Sequence, residues 1–265
     1  MILRYAYRED MDSICRIWQT SFGDSEEFIR TFFARTGIID TTVVAELDGQ
    51  VCSLMCAFDG IGSMSYLYAL CTAPEHRGRG IGGKLLLETI RLAHCRGASA
   101  AALHPADSDL AKWYAENFNL TPSGYFTHEQ FTATETELTA KEVPFSELLL
   151  ADGSISAQLC RAQEVLAQFY GGHLLKIGSS LIDAEERSGE VTVKAIAPQE
   201  ISETEQNGIL SAAAKYFGVP SVSVRKYFKS APVNSHIYYV NLAYDNPTPT
   251  QTPFVAPYGF QYVLD

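Results

Sequence analysis

The sequence predicts an α+β fold built on a mixed sheet, and two observations carry that prediction. Residues 41–72 hold three apolar strand patterns separated only by short turns, the signature of an antiparallel meander. The last of these runs through a glycine-dense turn into an amphipathic helix and then a further strand at 98–103, a crossover that makes the final pair parallel. A doubly wound parallel sheet would need a helix between each pair of strands, and the meander has none.

Taken in order, residues 1–7 alternate as a first strand. Glu9 and Asp10 open a helix through Phe22 with Ile14, Ile17 and Trp18 at helical spacing, and Gly23 closes it. Asp24 or Ser25 caps a second helix carrying Phe28, Ile29, Phe32 and Phe33, which Gly37 ends. Residues 41–47 and 51–58 are strands joined by Asp48-Gly49, a strong hairpin signal. Residues 59–62 turn into the strand ending at Thr72. The helix that starts at Ile81 stops at Gly97, Asp107 or Ser108 caps the next one over 109–118, and residues 125–132 close the sheet as its last strand.

Beyond residue 133 the pattern changes. Residues 135–147 are charged and contain Pro144, which reads as a boundary, so the chain divides into 1–133 and 134–265. A helical pattern over 155–170 ends at Gly171-Gly172. Residues 173–183 and 190–196 read as a hairpin, followed by a helix at 202–217 and strands at 219–227 and 237–244. Strand, helix, strand, strand is the order the first half shows from Tyr66 onward. The corresponding turn, 197–200, has no glycine and carries an acid, so it cannot cradle a phosphate. Residues 246–260 are proline-rich and read as an extended strap or tail.

Composition narrows the class. A chain of 265 residues with 46% hydrophobic content can bury one large core or two modest ones. A net charge of −11 and a pI near 5.0 argue against a nucleic-acid partner and are compatible with an amine substrate. No apolar run approaches the length of a membrane span, and the charged, alternating first ten residues are no signal peptide. Six cysteines and six histidines without ligand spacing point to reduced thiols in a cytoplasmic protein and to no metal site.

The chemistry concentrates at residues 66–86, YLYALCTAPEHRGRGIGGKLL. Gly78, Gly80, Gly82 and Gly83 let several backbone N–H groups converge at a helix N-terminus, where unpaired amides and the macrodipole favour an anion. Arg77, Arg79 and Lys84 add charge, so the stretch reads as a pyrophosphate site. A P-loop would need Ser or Thr after Lys84, where Leu85 stands. A dinucleotide fingerprint would need an acid at the end of the next strand, and residues 98–103 end without one. A glycine turn with no ligand leaves two arginines among four glycines without a reason. The remaining form, Arg/Gln-x-x-Gly-x-Gly/Ala, is met without a defect by Arg77-Gly78-Arg79-Gly80-Ile81-Gly82.

In that form the stretch resembles the GNAT superfamily of acyl-CoA N-acyltransferases. The resemblance implies a GNAT fold for residues 1–133 and acetyl-CoA as acyl donor, its pyrophosphate held by Arg77, Gly78, Arg79, Gly80, Ile81, Gly82, Gly83 and Lys84. It implies that the strand ending at Thr72 splays from the next one, and that Leu70, Cys71 and Thr72 offer backbone groups to the pantetheine arm. It assigns the general acid to Tyr114, in AKWYAENFNLTPSGY, although Asn119-Leu120 replaces the usual Gly-Phe and the spacing from Tyr114 is one residue long. Trp18, Phe22, Phe28 and Phe32 become candidates for the acceptor wall, each equally readable as core. Glu26, Glu27, Tyr66, Tyr68 and Glu129 are candidate bases through a water. Without a histidine near Cys71, direct transfer in a ternary complex is expected rather than an acyl-enzyme.

Residues 134–265 would then be a degenerate GNAT-like α/β half. Tandem halves with one competent site resemble the Eis-type aminoglycoside and lysine N-acetyltransferases, without their further C-terminal domain. The expected reaction moves an acetyl group from acetyl-CoA to a primary amine of a small molecule or peptide. The alternative is a non-catalytic acyl-CoA-binding module whose second half meets a protein partner. A homodimer is compatible with the sequence, and no membrane partner is expected.

Overall fold

The computed structural model describes residues 1–61, 64–118, 120–151, 155–198, 201–228 and 236–242. It comprises two compact units. Among the described residues, one holds Met1–Ser123 together with 237–242, and the other holds Gly124–His236.

In the first unit the chain runs β1 (Ile2–Tyr5), α1 (Met11–Phe22), α2 (Glu26–Thr36), β2 (Val43–Leu47), β3 (Gln50–Ile61), β4 (Met64–Thr72), α3 (Ile81–Cys95), β5 (Ala100–Leu103) and α4 (Ser108–Phe118). The helix ends follow the expected chemistry. Ser25 Oγ accepts the Phe28 N–H at 3.1 Å to cap α2, and Gly23 and Gly37 close α1 and α2 in the left-handed conformation. Asp48 and Gly49, with φ of 51° and 79°, make the β2–β3 hairpin turn. The turn expected at 59–62 falls later, because β3 continues to Ile61; residues 62 and 63 lie outside the described residues.

Strands β1 to β4 pair antiparallel in sequence order, and β4 pairs parallel with β5 across α3. One face of these strands, with Val43, Met55, Ala57, Leu67, Ala101 and Leu103, packs against Leu85, Leu86 and Ile90 of α3 and against Ala111 and Tyr114 of α4. This is the apolar stripe that the helical spacing of those residues requires.

After β6 (Thr121–Thr132), the second unit runs β7 (Ala140–Glu142), α5 (Glu147–Ala151), α6 (Ala157–Tyr170), β8 (Gly172–Ile177), β9 (Ser180–Arg187), β10 (Glu190–Ala197), α7 (Glu203–Phe217) and β11 (Ser221–Phe228). The strand expected over 173–183 is two strands, since Gly178 turns with a φ of 60° and folds β8 back on β9. Strands β8, β9 and β10 form a meander, and α7 crosses over to place β11 parallel to β10. The order of the first unit from β2 to β5 is therefore repeated.

Two strands depart from expectation. The strand β6, expected to close the first sheet, pairs antiparallel with β11 from Ser221↔Thr132 to Phe228↔Tyr125. The place beside β5 is taken by β12 (His236–Leu242), with Tyr239 opposite Leu103 and Leu242 opposite Ala100. A single cut after residue 133 consequently does not describe the compact units. Both strands offer the same ladder of backbone groups to either partner, so their sequences carry no mark of which sheet takes which strand. The proline-rich stretch over 246–260 and Asn119 lie outside the described residues.

Candidate functional site

Strand β4 positions the site. Its parallel pairing with β5 covers Met64, Ser65 and Tyr66 only, while β4 continues to Thr72, so the two strands part over their last residues. Against β3 the register slips between Tyr68 and Cys71: Cys56 faces Tyr68 and Leu54 faces Cys71, leaving Ala69 and Leu70 opposite Met55. Ala69 sits there with φ of 55°, a left-handed conformation that costs a residue with a Cβ and marks a bulge.

Beyond the bulge the backbone alternates again. Ala73 donates its N–H to Cys52 C=O at 2.9 Å, which makes the adjacent Thr72–Ser53 pair the unbonded kind. Thr72 thus turns its peptide groups away from β3, toward the side β5 has left, and Cys71 turns its own back toward β3. Ser53, fully buried, donates to Cys71 C=O at 2.7 Å. Its single proton is then committed, so the 2.8 Å contact with Thr72 Oγ1 has Thr72 as donor. Leu70 lies within the bulge and packs on the α3 and α4 core.

The loop after β4 makes a short 3-10 turn at Pro74–His76 and enters α3 through Gly78 and Gly80, both with φ of 71°. A Cβ would meet nothing within 4 Å at either, so conformation and not crowding calls for glycine there. Helix α3 has no side-chain cap and no acid in its first turn, whereas α2 and α7 have a serine cap and glutamates. Its first N–H groups therefore receive no side-chain cap and face no like-sign carboxylate in their own turn. Arg79 and Lys84 are exposed around them; Arg79 donates to His76 Nδ1 at 3.1 Å. Arg77 is turned elsewhere, with Nε on Thr72 C=O at 2.9 Å and a terminal nitrogen on Ser21 Oγ at 3.3 Å.

The other loop residues have packing roles. The side chain of Ile81 is buried with Ala45 and Cys52, leaving its backbone alone for the loop. A Cβ on Gly82 would lie 3.4 Å from Thr72 Oγ1, and one on Gly83 would lie 2.8 Å from the Phe118 ring. Gly83 therefore brings α3 close to α4.

Tyr114 is 7% exposed and shares the core cluster that reaches Leu70 on β4 and Leu103 on β5, with the Trp113 ring 5.0 Å away. Burial pushes its phenol up to about 12. Burial also pushes the Cys71 thiol well above the ordinary thiol range, which disfavours the thiolate a nucleophile would need.

On the acceptor side, Trp18, Phe28 and Phe32 are buried and Phe22 is 49% exposed. Trp18 stacks edge-on to Phe22, Phe28 and the half-buried Tyr68, and its indole N–H donates to Asp24 at 2.6 Å. The candidate bases are dispersed. Glu26 pairs with Arg30 at 2.7 Å, Glu27 is exposed, Tyr66 is buried, and Glu129 belongs to the second unit, paired with Lys226 at 2.5 Å. Among the described residues, no cluster of three or more His, Cys, Asp or Glu could hold a metal ion, and no helix is long and apolar enough to cross a membrane. Ser21 and Ser53 carry no sign in the sequence of the distant partners they meet, at Arg77 and at Cys71 and Thr72.

Residues 3–114 match the family described as acetyltransferase (GNAT) domain. No curated protein matches the sequence. Among solved structures, the chain is similar to a GCN5-related N-acetyltransferase from Kribbella flavida, with a TM-score of 0.67 and 15% identity over 91% of this chain and 71% of that one. It is similar to a putative acetyltransferase from Pyrococcus horikoshii, with a TM-score of 0.60 and 15% identity over 91% and 89%. Eis1 from Mycobacterium abscessus has a TM-score of 0.59 and 8% identity over 91% and 74%. At these identities the likeness is one of fold, and it extends over both halves. Residues 3–114 therefore carry the match to the acetyltransferase (GNAT) domain family, and the chain shares its fold with these solved acetyltransferases.

Proposed function

We propose that the protein transfers an acetyl group from acetyl-CoA to a primary amine of a small molecule or peptide, by direct attack in a ternary complex. The observation that carries this reading is the uncapped N-terminus of α3, entered through left-handed Gly78 and Gly80, next to a strand that has parted from its neighbour. A cradle with these open N–H groups and exposed Arg79 and Lys84 fits a pyrophosphate, and Thr72 turned toward the parting fits an amide-bearing arm. When bound, acetyl-CoA supplies an acyl group activated as a thioester.

The chain's own part is to bind, orient and manage protons. The loop fixes the donor, and holding both reactants together removes much of the entropic barrier. The Tyr114 phenol, at about 12, stays protonated at neutral pH and can donate a hydrogen bond to a departing sulfur. Complete proton transfer to a thiolate whose conjugate acid has an ordinary pKa of ~8.5 is uphill, so Tyr114 serves chiefly as a donor that stabilises developing charge. The raised Cys71 thiol supports direct attack over an acyl-enzyme. The free cysteines suit the cytoplasm.

Calorimetric titration with acetyl-CoA, with ATP and NAD as controls, tests the donor. Selective acetyl-CoA binding supports the reading, and silence or a preference for ATP overturns it. A non-catalytic acyl-CoA-binding module is the second reading, favoured by the ion pairs that occupy Glu26 and Glu129. Turnover in an amine screen separates the two.

A further inference from the structure

We propose that Arg77 is a positioning residue, which sets the loop against β4 and α1 rather than serving as a phosphate ligand. This rests on the reading of the loop as the acyl-CoA site. Thr72 is the pin on which both ends of the loop close. On the entry side, the Arg77 guanidinium grips Thr72 C=O at 2.9 Å and reaches Ser21 Oγ, on the last turn of α1, at 3.3 Å. On the exit side, the first turn of α3 passes the Thr72 hydroxyl at Gly82, where a Cβ would stand 3.4 Å from it. That hydroxyl is itself held by buried Ser53 at 2.8 Å.

A planar guanidinium with donors in a fixed fork can hold a carbonyl and a hydroxyl at once, and an ammonium on a flexible stem cannot reproduce the pair. Two segments far apart in sequence, at Ser21 and Thr72, are thus joined through one side chain. The positive charge offered to a diphosphate comes from Arg79 and Lys84, whose side chains are exposed beside the helix N-terminus.

The test compares Arg77→Lys, Ser21→Ala and Arg79→Gln. In the ligand-free protein, amide hydrogen exchange over residues 78–82 quickens in Arg77→Lys and Ser21→Ala and is unchanged in Arg79→Gln. In calorimetry with CoA, Arg77→Lys weakens binding about tenfold, the equivalent of losing two hydrogen bonds, although the charge is retained. The salt dependence of CoA affinity stays as in the wild type for Arg77→Lys and becomes shallower for Arg79→Gln. Acetyl-CoA KM rises with kcat little changed in Arg77→Lys, which a general loss of fold would not produce. CoA affinity at the wild-type level in Arg77→Lys, or unchanged exchange in the free protein, overturns the proposal. Absence of CoA binding in the wild type would overturn the donor assignment instead, and the exchange arm would still read the grip of Arg77.

Discussion

Four glycines stand within six residues of the loop, and between them they answer three physical demands. Gly78 and Gly80 supply a left-handed backbone, Gly82 admits Thr72, and Gly83 admits Phe118. Gly80→Val places a β-branched residue at φ of 71° and should lower acetyl-CoA affinity more than tenfold in calorimetry, with a stability cost of about 1–2 kcal/mol. Gly83→Val should act in the opposite proportion. Its Cβ meets the Phe118 ring at 2.8 Å, so urea unfolding should show a loss of about 1–3 kcal/mol while CoA affinity changes little. Tyr114 gives a pH prediction. Its folded pKa, about 12, lies above the ordinary 10, so the native state holds the proton more tightly than the unfolded chain. The stability this contributes is fully present below pH 10 and is lost as pH rises through about 12. Denaturant midpoints across that window should fall less steeply in Tyr114→Phe than in the wild type. At neutral pH the same variant should lower turnover about 10²-fold with CoA affinity unchanged, the size of a lost donor to developing charge.

At the scale of elements, β4 does more than pair. The bulge at Ala69 and Leu70 and the end of pairing with β5 at Tyr66 re-aim its last residues toward the parting. The second unit repeats the device without the cradle. There β10 pairs with β11 only at Thr192 and Val193, and its register on β9 slips between Val193 and Ala195. The following helix, however, is capped by Ser202, which takes the Glu205 N–H, and Glu203 and Glu205 in its first turn repel an anion. Ser53 links β3 to the end of β4 from inside the core. Ser53→Ala should cost about 1–3 kcal/mol in urea unfolding, since it strips partners from Cys71 C=O and the Thr72 hydroxyl, and should weaken acetyl-CoA binding as well.

Across the whole chain, the strand beside β5 comes from residues 236–242 and not from the segment that follows α4. A fragment ending at residue 133 therefore contains every loop residue yet lacks the partner of Ala100–Leu103. Unpaired sheet edges template association, so the fragment should aggregate and fail to bind acetyl-CoA, as read by light scattering and calorimetry. A monomeric fragment with full affinity would show that β12 is dispensable.

The amino-acid sequence by itself determined the local structure: the polar cap before α2, the Asp48-Gly49 hairpin, the apolar faces of α3 and α4, and the loop from Arg77 to Gly82. These depend on neighbours within a few residues, which is the range over which capping, turn chemistry and periodicity act. Only the tertiary structure decided which partner each long-range group meets. It exchanged β6 for β12, turned Arg77 onto Thr72 and Ser21, assigned Gly83 to the contact with Phe118, and placed Ser53 beneath the end of β4. A strand's pairing groups are the same whichever edge it joins, and a guanidinium offers the same donors to a phosphate as to a carbonyl, so the choice rests on what the fold brings within reach.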